Sequence, residues 1–140
     1  MRFVLDTDVV VAGMRSPTGA SAAILRAARD GKVTLLVSLP LAIEYEAVCS
    51  KPEHYMMAGL TAAQTEIFVT TIMALAEPIE THFLWRPKLR DPDDEMVLET
   101  AVNGAADAIV TFNLRGFGQT PREFGVDVWL PRDAIARIRS

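Results

Sequence analysis

Along the 140 residues, short apolar runs alternate with longer segments whose apolar positions recur every three or four residues. The first pattern predicts strands and the second helices. "RFVL" (2–5), "VTLLV" (33–37), "DAIVTF" (107–112) and "VDVWL" (126–130) are partly β-branched and bounded by turn or charged residues, as expected for strands buried in a parallel sheet. "EPIETHFL" (77–84) is a fifth, less regular strand candidate. Between them, "TGASAAILRAARDG" (18–31) runs from a polar start to a Gly stop, and "SLPLAIEYEAVCSKP" (38–52) opens with Ser38 and closes at Pro52. "TAAQTEIFVTTIMALAEP" (61–78) spaces Thr61 and Gln64 as a capping box, while "DPDDEMVLETAVNG" (91–104) and "PRDAIARIR" (131–139) place Pro in a first helical turn. The alternation predicts one α/β domain over residues 1–140 with right-handed crossovers, and such sheets bind ligands at the carboxyl ends of their strands.

Composition narrows the classes. Half of the residues are hydrophobic, which excludes a disordered chain, and no apolar run approaches the roughly 20 residues needed to cross a bilayer. The opening "MRFVLDTD" meets an acid too early for a secretory signal, so a cytoplasmic protein without a membrane partner is expected. Cys49 is the sole cysteine and, with only His54 and His82 beside it, makes no zinc cluster; helix packing is its expected role. A net charge of -4 argues against nucleic-acid binding through a general positive field and leaves room only for a local patch.

The acids are distributed unevenly. Asp91, Asp93, Asp94 and Glu95 crowd one helix start. With Pro92 as first helical residue, Asp91 is placed to cap the helix. Glu95 shares a stripe with Glu99 and Asn103 and is expected to face water, Asp93 lies between faces, and Asp94 precedes Leu98 and Ala101 on the apolar face. Glu44 likewise shares a face with Leu41, Tyr45 and Val48, opposite Glu46. Asp6 ends the first strand, so Asp6, Glu44 and Asp94 fall near one rim of the sheet. Like charges gathered there raise one another's pKa unless a cation holds them, and Mg²⁺ or Mn²⁺ suits oxygen ligands. Asp107 precedes its strand and belongs to the opposite edge.

These residues resemble the PIN-domain nucleases. "FVLDTDVVVAGMRSPTGASAAIL" (3–25) is similar to the family's opening motif, "SLPLAIEYEAVCSKP" to its second acidic segment, and "RDPDDEMVLETAVNGAADAIVTFN" (90–113) to its third and fourth. The pattern most resembles the toxin component of a bacterial type II toxin-antitoxin system. The resemblance implies a three-layer α/β/α sandwich around a central, mainly parallel five-stranded sheet. It also implies a carboxylate site at Asp6, Glu44 and Asp94 that holds one or two Mg²⁺ or Mn²⁺ ions and cleaves single-stranded RNA, leaving 5'-phosphate and 3'-hydroxyl ends. The implied partners are RNA, a cognate antitoxin and a second copy in a homodimer. Asp91, Asp93, Thr111, Asn113 and Arg115 are candidate supporting or substrate residues, and Arg15, Arg86, Lys88 and Arg90 further candidate phosphate contacts.

The chain departs from the family at the fourth acidic position, where "TFNLRGF" (111–117) has Asn113 and Gly116 in place of a carboxylate. Asn113 can bind a water or a phosphate through its amide but adds no charge, so weak Mg²⁺ binding or one-metal chemistry is expected. The same gap keeps open a non-catalytic module that holds RNA or an antitoxin. "DTDVVV" (6–11) also fits the opening of haloacid-dehalogenase-like phosphatases, with Asp6 as nucleophile and Asp8 as acid/base. There, however, a later acidic pair ends an apolar strand, whereas "DPDD" opens a helix. In the middle segment, Tyr55, Met56, Met57, Ile67, Phe68 and Ile72 fit core positions, although a protruding apolar helical pair also suits a dimer or an antitoxin peptide.

Overall fold

Three apolar runs become the centre of the sheet because both of their faces are covered. In the computed structural model, which describes residues 1–82 and 88–140, the strands are β1 (Arg2–Leu5), β2 (Thr34–Ser38), β3 (Glu77–Ile79), β4 (Ala108–Val110) and β5 (Asp127–Trp129). They pair in parallel in the order β3-β2-β1-β4-β5. Phe3, Val4, Leu35, Leu36, Ala108, Ile109 and Val110 are almost wholly buried, which is why these strands read as continuous apolar runs rather than alternating ones. The edges differ: β3 carries Pro78, which an edge strand tolerates, and β5 opens on the exposed Asp127.

Helices flank this sheet: α1 (Thr7–Arg15), α2 (Ala20–Arg29), α3 (Leu39–Cys49), α4 (Pro52–Met57), α5 (Ala62–Leu75), α6 (Pro92–Asn103), α7 (Leu114–Phe117), α8 (Thr120–Glu123) and α9 (Pro131–Arg139). From β1 the chain moves outward to β2 and β3, then returns through α6 to β4 on the other side of β1. The point where the direction reverses lies between β1 and β4, and its carboxyl end is where open α/β sheets bind ligands. Register puts Leu5 opposite Val110, so Asp6 and Thr111 leave the sheet side by side.

Several elements depart from the sequence pattern. No helix is expected over 7–15, yet α1 forms there. Its "VVV" is a β-like run of poor helix formers, costing well under about 1 kcal/mol per residue. Burial reverses the preference: Val9, Val10 and Val11 are buried, each contributing on the order of 1.5 kcal/mol or more. Asp6 caps the helix, and a Cβ on Gly13 would stand 2.8 Å from Leu25 Cδ1, so α1 and α2 pack closely. Pro52, expected to end a helix, instead starts α4 in the position where its missing N–H costs nothing. The third strand stops at Ile79; the Phe83 and Leu84 of its predicted run lie outside the described residues. Of the six residues expected at core positions in the middle segment, Ile72 is buried, Tyr55 and Phe68 are half-buried, and Met56, Met57 and Ile67 are exposed.

The helices that carry Glu44 and Asp94 are tied together by a buried hydroxyl pair. Ser38 Oγ caps α3 by accepting from the Leu41 N–H and lies 2.6 Å from Thr100 Oγ1 of α6, which donates to the Met96 carbonyl. The Ser38 hydroxyl therefore donates to Thr100. Cys49 packs at the end of α3, fully buried, as expected. Replacing Thr100 by Val should leave the Ser38 donor buried without a partner and cost about 1–3 kcal/mol, read as a lower midpoint in urea unfolding.

Candidate active site

Asp6 is the best-held acid at the rim. It ends β1 and caps α1, with Oδ1 accepting the Thr7 N–H at 2.8 Å and Oδ2 accepting the Thr111 hydroxyl at 2.8 Å. Its own N–H continues the ladder to the Val110 carbonyl at 2.9 Å. One residue earlier, the buried Tyr45 hydroxyl of α3 donates to the Leu5 carbonyl, fixing α3 against this strand end. Burial raises the Asp6 pKa, the bonds from Thr111 and Thr7 work against that rise, and the charges of Asp91 and Asp93 add to it. Burial first and the Asp6 charge second hold the Tyr45 phenol well above its ordinary value, so it remains a donor.

Asp8 sits in the first turn of α1, facing the chain after β4. Oδ2 accepts the Phe112 N–H at 3.1 Å, whereas Oδ1 is buried with no hydrogen-bond partner. Burial and then the Asp6 charge push its pKa to about 6. Asp94, 8 % exposed in the first turn of α6, is also pushed to about 6, by burial, Asp6, Asp91 and Asp93 in that order. Glu44 is raised by burial and by Asp93, with Lys51 offsetting part of the rise, while Glu46 is exposed on the far side of α3. Among the described residues, no Lys, Arg or His forms an ion pair with Asp6, Asp8, Glu44 or Asp94.

The remaining acids divide as follows. Asp91 caps α6 by accepting the Asp93 N–H at 2.9 Å, as its spacing predicts, and Asp93 is exposed. Glu95 corrects the expectation of a solvated side chain: it is 9 % exposed, and its Oε1 accepts the backbone N–H groups of Lys88 and Leu89. Helical periodicity could not show that the incoming chain folds back over this stripe. Asp107, at the opposite edge, accepts the Arg2 N–H at 2.7 Å.

Thr111 is fully buried and bonded to Asp6, and its Oγ1 also accepts the Asn113 N–H at 2.9 Å. Asn113 caps α7 through Oδ1 to the Gly116 N–H at 3.2 Å, and its amide nitrogen and Asp94 Oδ2 both border Gly116. A Cβ on Gly116 would stand 2.6 Å from Asn113 Nδ2 and 2.7 Å from Asp94 Oδ2. Arg15, Lys88, Arg90 and Arg115 are exposed, and Arg86 lies outside the described residues.

Among the described residues, no three acidic, His or Cys side chains form a ready-made metal-binding group. The donor set nonetheless fits a hard divalent cation: it is all oxygen, no described cation forms an ion pair with it, and it includes the partnerless Asp8 Oδ1. Residues 2–115 match the model of the PIN domain family. The chain belongs to that family. PIN domains are typically nucleases and generally use divalent metal ions, and the matched stretch contains Asp6, Asp8, Glu44 and Asp94. No curated protein and no solved structure matches the chain. No described helix of this PIN domain is long and apolar enough to cross a membrane.

Asp8, which the metal-site reading of the sequence left out, joins the candidates by its position; the D-x-D spacing of "DTD" was its signal, obscured because no helix was expected at residue 7. Both Asp8 and Asp94 have a pKa near 6 against an ordinary 3.8. The folded PIN domain therefore holds these protons more tightly than the unfolded chain does. Their contribution to stability is complete below the ordinary value and is lost as pH rises through about 6. Metal-free protein should accordingly melt at a lower temperature at about pH 7 than near pH 4.5, and Asp94→Asn should flatten that slope in thermal unfolding.

Proposed function

We propose that this PIN domain is a divalent-metal-dependent endoribonuclease that cleaves single-stranded RNA and acts in the cytoplasm as the toxin of a toxin-antitoxin pair. The observation that carries the proposal is a group of acids without an ion pair among the described residues, Asp6, Asp8, Glu44 and Asp94, near the switch point of the sheet. Mg²⁺ or Mn²⁺ bound there would supply an acidified water and offset charge on the phosphate oxygens. Asp6, Glu44 and Asp94 are the proposed ligands, with Asp8 added by its free Oδ1. Thr111 holds one Asp6 oxygen toward this group, and the first-turn N–H of Thr7 holds the other. Asn113 offers an amide N–H to a phosphate oxygen or to the attacking water. The products carry 5'-phosphate and 3'-hydroxyl ends.

A second copy is the proposed cover for the apolar face of α3 and α5. Leu39, Ile43 and Ile67 are 74 %, 59 % and 66 % exposed, and a groove of about 410 Å³ runs between the helices past Ala42, Val69 and Met73. Met56 and Met57 on α4 are a further apolar surface, suited to an antitoxin segment. A second functional reading, RNA or antitoxin binding without cleavage, is favoured by Asn113 and Gly116 standing where family members carry an acid.

Labelled single-stranded RNA incubated with Mn²⁺ or Mg²⁺ separates the two: cleavage abolished by Asp6→Asn supports the nuclease, and binding without cleavage supports the module. Thr111→Val should reduce cleavage about 10- to 100-fold by releasing a ligand carboxylate from its orienting partner. Asn113→Asp should lower the Mg²⁺ concentration needed for half-maximal cleavage, whereas Gly116→Asp should not, because its Cβ collides with Asp94 and Asn113.

A further inference from the structure

We propose that the apolar cavity between α1, the start of α2, Phe112 and the chain entering α9 is a nucleotide subsite, taking one base of the RNA strand on Phe112 and the adjoining phosphate at α2. The proposal rests on the ribonuclease reading and names where the nucleotide beside the cleaved bond is held. The cavity is about 370 Å³, within the range of small-ligand sites, and Ala12, Ser16, Gly19, Ser21, Phe112 and Arg132 are among its walls.

Position is the first argument. The backbone N–H of Phe112 is on Asp8, and the preceding Thr111 is on Asp6, so the ring springs from the residue next to the carboxylate centre. Phe112 is also 52 % exposed, whereas Phe3 and Phe117 are buried at 0 % and 1 %. A base stacked on such a ring contributes on the same footing whatever its identity.

Unmet polar groups are the second argument. Ser21 is 3 % exposed, yet its Oγ has no hydrogen-bond partner. A buried hydroxyl left so is costly, and a ligand edge carrying donors and acceptors would answer it. At the same place α2, ten residues long, begins at Gly19 with no side-chain cap and no acid in its first turn, leaving N–H groups and the positive end of its dipole for an anion. Arg132 lines the same cavity and forms no ion pair among the described residues. An apolar side chain from a partner protein would fill the walls but answer neither Ser21 nor the helix start. A nucleotide answers all of them, with a flat apolar face, a polar edge and a phosphate.

The test is fluorescence anisotropy with a labelled single-stranded RNA in Ca²⁺, comparing an intact strand with a set in which each nucleotide in turn is abasic, alongside cleavage assays in Mn²⁺. Phe112→Ala should weaken binding about 10-fold, Phe112→Tyr should retain it, and one abasic position should weaken the parent protein's binding but not that of Phe112→Ala. Ser21→Ala should raise the melting temperature, because it removes the unpartnered hydroxyl, while weakening RNA binding. Equal affinities for parent and Phe112→Ala, or abasic penalties identical in both, overturn the subsite even if Mn²⁺-dependent cleavage stands. Absence of cleavage by the parent overturns the ribonuclease reading instead. Loss of binding to a partner protein in Phe112→Ala, with RNA binding unchanged, assigns the cavity to a protein side chain and also overturns the proposal.

Discussion

The Asp6 carboxylate stands where β1 ends, α1 begins and β4 passes alongside, and hydrogen bonds from Thr7 and Thr111 fix both of its oxygens. Held this way, it cannot turn from Asp8, Glu44 and Asp94, and it raises the pKa of each. Like charges kept this close and partly out of water oppose folding unless something positive joins them. The fold accepts that cost at its switch point, where strands diverge and a crevice opens. Stability given up for function is a familiar exchange, and here it is concentrated on four side chains.

The supports around this point are neutral. Tyr45 reaches the Leu5 carbonyl, and Ser38 and Thr100 join α3 to α6, so the elements bearing Glu44 and Asp94 are positioned by buried hydroxyls rather than by cations. The candidate phosphate contacts Arg15, Lys88, Arg90 and Arg115 stay exposed, and Lys51 eases only part of the rise at Glu44. An Arg inserted among the acids would neutralise them and occupy the place of an ion. The same economy governs Asn113 and Gly116: the glycine leaves room for Asp94 and for the Asn113 amide, which puts a neutral donor where a further carboxylate would add repulsion.

Much of this was legible from residue spacing. Asp91 caps α6 as expected, Asp94 is buried and Glu44 half-buried on their helices, and the apolar runs at 2–5, 33–37, 107–112 and 126–130 each overlap an observed strand. What was misread shares one cause. The helix at 7–15 is held by burial of valines that locally prefer strands, and Glu95 is buried by chain arriving from elsewhere. The helix hidden in "DTDVVV" also hid Asp8, and the exposure of Phe112 beside an unpartnered Ser21 depends on three segments far apart in the chain.

Periodicity, caps and the placement of acids by themselves determined the α/β class and the cap at Asp91 and singled out the candidates Asp6, Glu44 and Asp94, because each follows from patterns within a few residues. Tertiary structure alone decided that Thr111 grips Asp6, that Asp8 joins the group with a free oxygen, and that Asn113 and Gly116 sit against Asp94. Those outcomes depend on β1 and β4 pairing across about a hundred residues of intervening chain, and no local pattern records which neighbours a crossover will bring together.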